Sequence, residues 1–95
     1  MNQQDTLTRA EGWLAAWVDR DLIMMNASSN FYLGLSGSGG RIWELLETPQ
    51  TFTSLCEKLT AEYDGDPAAI AAEVAAFLQQ LEEHHAIEVH RNSVA

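Results

Sequence analysis

Gly37-Ser-Gly39-Gly-Arg-Ile42 constrains this chain most, because it joins an aromatic stretch, Asn30-Phe-Tyr-Leu-Gly-Leu35, to a run whose apolar residues recur at helical spacing. Before the corner, Phe31, Leu33 and Leu35 alternate with Tyr32 and Gly34, which is the period of a strand with one inward face. After it, Ile42, Trp43 and Leu46 recur at three and four residues and form one apolar stripe. A strand that passes into a helix through so short a corner lays that helix back against the sheet. Ser36 is placed to cap the helix, and Pro49 to end it.

The segments on either side fill in the rest. Trp13–Val18 and Leu22–Met25 are two compact apolar runs separated by Asp19-Arg20-Asp21, the pattern of a hairpin. Asn26-Ala-Ser-Ser-Asn30 supplies the next turn, since Asn and Ser side chains bond to nearby backbone and Asn tolerates left-handed geometry. Phe31–Leu35 is then the third strand. Thr51 caps a second helix that buries Phe52, Leu55, Cys56, Leu59 and Tyr63 and stops at Asp64-Gly65. Asp66-Pro67 starts a third, longer helix, with Ile70, Val74, Phe77, Leu78 and Leu81 on a narrow arc and Glu73, Gln80 and His84 along one border. Ile87 and Val89 form an apolar tail that closes the core or adds an edge strand. The expected fold is α+β and winged-helix-like, a three-stranded antiparallel sheet followed by three helices. One domain over residues 12–90 is expected, between a flexible N-terminus at 1–11 and a flexible tail at 91–95.

Charge excludes more than it permits. The chain carries a formal net charge of −9, and residues 44–88 hold ten acids against Lys58 alone. A winged-helix outline raises the possibility of a DNA-binding regulator, but the third helix, which would enter the groove, has three glutamates and no lysine or arginine. Phosphate neutralisation is missing where such binding needs it. Anionic lipid is disfavoured on the same ground, and no apolar run approaches the roughly 18 residues of a membrane span. The start, Met1-Asn-Gln-Gln-Asp-Thr, has neither the basic nor the apolar region of a signal peptide, so a cytoplasmic protein is expected. Cys56 is the single cysteine, and leucines at helical spacing mark it as a packed thiol.

Chemistry finds no constellation. Isoleucine stands at 42 where a dinucleotide fingerprint has its third glycine, and no Lys-Ser or Lys-Thr completes a phosphate loop. Ser36 and Ser38 do not sit in a nucleophile elbow. His84 and His85 are adjacent on a helix and point about 100° apart, so they cannot ligate one metal from one face. No catalytic residue, cofactor or metal is assigned.

What the pattern does suit is an extended peptide adding itself to an open sheet edge, with backbone hydrogen bonds for affinity and side-chain pockets for specificity. The third strand is the candidate receptor, and the border of the third helix the candidate wall.

Four pieces in order, Tyr32-Leu-Gly34-Leu35, Gly39-x-Arg41-Ile42-Trp43-Glu-Leu-Leu46, Thr51 with Leu55 and Leu59-x-x-x-Tyr63, and Val74-x-x-Phe77-Leu78-x-x-Leu81, resemble the PqqD-like family over about residues 17–89. Members are RiPP recognition elements, non-catalytic winged-helix-like domains that bind the leader of a ribosomally made precursor peptide and present it to modifying enzymes. The resemblance implies leader binding between the third strand and third helix. The peptide-binding set is then Asn30, Phe31, Tyr32, Leu33, Gly34 and Leu35 on the strand. Phe77, Gln80 and Leu81 join Tyr32 in lining the groove, and Glu73 and His84 flank it.

The chain departs from the pyrroloquinoline quinone subunit, having Met25-Asn26 and Glu47-Thr48-Pro49 where a Pro-Glu segment and a Cys-Asp-Gly turn are expected. Its size and its Arg-Ile-Trp-Glu-Leu-Leu helix are similar instead to discrete leader-binding subunits of lasso-peptide systems. That likeness implies two partners besides the leader, a transglutaminase-like leader peptidase and an asparagine-synthetase-like cyclase that uses ATP. The alternatives are a pathway with a radical enzyme or pyrroloquinoline quinone synthesis itself.

Overall fold

A computed structural model of the chain describes residues 3–35 and 37–91. Three strands form the central sheet: β2 (Trp13–Val18), β3 (Asp21–Asn26) and β4 (Phe31–Leu35), antiparallel in the order β2-β3-β4. Short turns with suitable residues set the register. Asp19 adopts a left-handed φ of 57° in the two-residue link that pairs Val18 with Asp21. In the next turn Asn26 Oδ1 accepts from the N–H groups of Ser28 at 3.0 Å and Ser29 at 3.1 Å, and Asn30 takes the left-handed φ of 57° that asparagine tolerates. Asn26 therefore pairs with Phe31, and Leu22, Met24, Leu33 and Leu35 all fall on one buried face.

The helices α1 (Gly39–Leu45), α2 (Phe52–Tyr63) and α3 (Pro67–Glu83) follow. Local chemistry fixes the ends of the latter two. Thr51 and Ser54 form a reciprocal capping box at the start of α2, and Asp64 closes it in a left-handed conformation. Asp66 caps α3 with Pro67 in the first turn. At its end the N–H of His85 bonds to Glu82 and that of Ala86 to Leu81, a Schellman pattern with His85 at φ 58° in the place usually held by glycine. Ile42, Trp43, Leu46, Leu55, Leu59, Val74, Leu78 and Leu81 are buried and meet the inner sheet face in one core. The shortest dimension, 19 Å, is that of one sheet layered with helices.

Four details differ from the sequence expectation. Residues Thr6–Arg9, assigned to a frayed terminus, form strand β1, which lies between β5 (Gln50–Thr51) and β6 (Ile87–His90) in a second antiparallel sheet. Leu7 is fully buried there, and Arg9 donates from Nε to the Trp43 carbonyl at 3.0 Å while its guanidinium lies 4.6 Å over the Trp43 ring. A lone Thr-Leu-Thr is too short for periodicity to register, and only flanking strands distant in sequence make it a strand. Second, Ser38 rather than Ser36 occupies the α1 N-cap and makes no cap bond; Ser36 lies outside the described residues. Third, α1 ends at Leu45, before Pro49 acts. Fourth, Tyr63 is exposed at the tip of α2 rather than buried. Of the expected tail, only Arg91 is among the described residues.

Candidate functional site

Strand β4 is an edge. It pairs with β3 on one side and with no strand on the other among the described residues, so a row of backbone donors and acceptors faces outward. Helix α3 runs beside that edge in the opposite direction. Its C-terminal end meets the start of β4, where the rings of His84 and Phe31 stack with centroids 4.7 Å apart and planes 26° from parallel. Its N-terminal half meets the residues just after β4, where Ser38 Oγ donates to Glu73 Oε1 at 2.6 Å. From Glu73 to His84 the helix rises about 17 Å, and β4 from Phe31 to Leu35 covers about 13 Å. Strand edge and helix are thus bridged at two points, and the space between the bridges is the candidate groove.

The Phe31 end is aromatic. Trp13, Asn26 and Phe31 lie in one cross-strand row, and Trp13 meets Phe31 edge-on with centroids 6.3 Å apart. The indole N–H of Trp13 reaches the His85 carbonyl at 3.3 Å, which ties this row to the end of α3. A recess lined by Trp13, Asn30, Phe31, His84 and neighbouring residues opens here, with a volume of about 530 Å³.

The glycine corner explains the groove's other wall. A Cβ placed on Gly39 would lie 2.5 Å from Cε2 of Phe77, so the α1 backbone rests directly on that ring. Gly40 is pressed on Trp17 in the same way. The glycines are there for close approach of backbone to aromatic rings, not for a phosphate. Ser38, freed from capping, holds α3 instead.

The residues expected at the site fall into distinct places. Phe31, Gly34 and Asn30 are exposed on or beside the edge, Glu73 and Gln80 are exposed on α3, and Phe77 and His84 are half-buried between. Leu33, Leu35 and Leu81 are core residues, so their side chains shape the groove from below rather than line it. Tyr32 does not share a face with Phe77. It pairs with Met25 on the outer side of the sheet, 65% exposed, because strand alternation sends it away from Leu33. Leu14 and Val18 are exposed on the same outer face, 60% and 56%. Trp13 and Ser38 were not anticipated. Trp13 follows from counting register through both turns, whereas Ser38 carries no signal apart from lying one turn into the corner.

Ionisable groups away from the groove have structural neighbours. Arg41 bonds to Glu62 at 2.8 Å, and that bond first of all raises its pKa. His90 lies 3.0 Å from the Thr8 hydroxyl and 3.7 Å from Glu88, on β6 rather than in the His84 stack. Cys56 is half-buried, and burial followed by the nearby Glu57 raises its pKa, which keeps it a thiol. No helix among the described residues is long and apolar enough to cross a membrane.

Comparison with known proteins places this geometry. The structure of TbiB1 in complex with the TbiA(beta) leader peptide matches with a TM-score of 0.75 and 23% identity, over 93% of this chain and 99% of that one. The structure of lasso peptide synthetase B1 complexed with the leader peptide matches with a TM-score of 0.74 and 18% identity, over 86% and 96%. At such identities the likeness is one of fold. No curated relative matches the sequence. The profile of the PqqD family, described as coenzyme PQQ synthesis protein D, matches residues 21–87, the span from β3 through α3 to the start of β6. With the larger part of its length so matched, the chain belongs to the PqqD family.

Proposed function

We propose that this protein binds the leader region of a ribosomally synthesised precursor peptide as an added antiparallel strand on β4, and carries out no chemistry on it. The observation that carries this reading is the unpaired β4 edge lying open beside α3. Support comes from the two structures of similar fold, both of which hold a leader peptide. The contact set consists of the backbone of Asn30–Leu35 and the side chains of Phe31, Glu73, Phe77, Gln80 and His84, with Leu33, Leu35 and Leu81 as the floor and Tyr32 beside the guest on the outer face. Since β4 and α3 run oppositely, an antiparallel guest runs parallel to α3. Its N-terminal part lies by Ser38 and Glu73 and its C-terminal part leaves past Phe31 and His84. The partners in this reading are those of lasso-peptide biosynthesis, a leader peptidase and an ATP-using cyclase, to which the bound leader is presented in the cytoplasm.

Titration with a synthetic leader encoded beside the gene tests it. Trp13 lies against Phe31, so saturable quenching or a shift of tryptophan emission is expected, matched by heat in calorimetry; a flat titration in both overturns the reading. Proline scanning tests strand addition itself. Successive residues of an edge strand point their N–H groups to opposite sides, so Leu33→Pro and Gly34→Pro should differ in peptide affinity where both still fold. Equal losses count against it.

A further inference from the structure

The two ends of the groove differ in chemistry, and the Ser38–Glu73 end has the features of a subsite for a cation. Next to that bridge is a recess of about 220 Å³ lined by Ser38, Leu59, Tyr63, Ile70 and Glu73. It is smaller than the roughly 300 Å³ at which small-molecule sites begin, and suits one long side chain. Three of its walls are apolar and its rim carries a carboxylate. Ser38 fixes one oxygen of that carboxylate, and among the described residues no Lys, Arg or His nitrogen lies within 4.0 Å of Glu73. Arg41, the cation of the neighbouring helix, is engaged by Glu62 and Glu44. A side chain with an apolar stem and a positive head satisfies both parts of the recess. An acid would meet Glu73 and the net charge of −9, and a short apolar residue would leave the carboxylate unused.

We propose that this recess takes a lysine or arginine of the bound peptide, at a position N-terminal to the residues that pair with β4. The proposal rests on strand addition at β4, which supplies the peptide's direction. A random peptide library displayed on phage and selected against the whole chain tests it. Binders to the wild-type chain should share a basic residue at one fixed position before an apolar, strand-forming segment. The Glu73→Lys chain should select an acid there and keep the rest of the motif. For one selected peptide, glutamine in place of the basic residue should weaken binding to the wild-type chain about two- to fivefold, the range of an exposed charge pair. On the Glu73→Gln chain, where the amide still accepts from Ser38, the same change should have no effect. Binders with no charge preference, or the same preference from both chains, overturn the subsite while strand addition stands. A library that yields no binder to the folded chain overturns strand addition, and the subsite with it.

Discussion

His85 shows how a single residue holds an element in place at a cost. It closes α3 at φ 58°, a conformation that costs a side chain with a Cβ about 1–2 kcal/mol. His85→Gly removes that cost and adds glycine's unfolded-state entropy, so a net gain of about 0.5–1 kcal/mol is expected, or about 4 °C in a thermal melt followed by circular dichroism. Gly39 is the opposite case. Alanine there must displace Phe77, with an expected loss of about 1–3 kcal/mol and weaker peptide binding. Alanine at Gly40 meets Trp17, which is 49% exposed and can swing outward, so the loss should be smaller and binding kept. Melting curves and a leader titration on both variants check the pair. These positions also mark what was legible in the sequence. Glycine at 39 and 40 was visible as a corner, and the missing lysine excluded a phosphate, yet which rings press on the backbone is fixed only by how α1 packs against α3 and β2. Asn26 and Asn30 were read correctly because their bonds are local.

At the level of elements, strands and helices with their own caps, turns and periodicity could be read directly: β2, β3, β4, α2 and α3 needed nothing distant. Strand β1 could not be. Its one buried residue, Leu7, is enclosed by β5 and β6, which follow it by some forty and eighty positions. The structure makes that strand integral, and Leu7→Ala should cost about 2–5 kcal/mol, against less than about 0.5 kcal/mol for an exposed substitution such as Gln3→Ala. Denaturant unfolding of the two variants checks this, and equal midpoints would return residues 1–11 to a dispensable terminus. The candidate groove was half legible for a related reason. Alternation already set Tyr32 apart from Phe31, Leu33 and Leu35, yet the family resemblance drew it into one groove with Phe77, and the observed pairing with Met25 returns it to the outer face.

For the molecule as a whole, charge sets the terms of association. With −9 overall and an acidic α3, the chain should give no mobility shift with duplex DNA at low salt, where a basic-groove mechanism would give its strongest. Leader affinity should change by no more than about fivefold between low and high salt, because its main terms are backbone hydrogen bonds and apolar contact rather than exposed ion pairs. A steep salt slope in the titration would contradict that. The unpaired edge of β4 has one more consequence. A guest strand laid along it becomes the fourth strand of the sheet and must pleat as β4 does, so every second side chain turns inward against α3 and each one between turns outward beside Tyr32. The host then encloses only alternate letters of the guest, and the remaining letters are left in the open, where a third molecule can read the same peptide without displacing it.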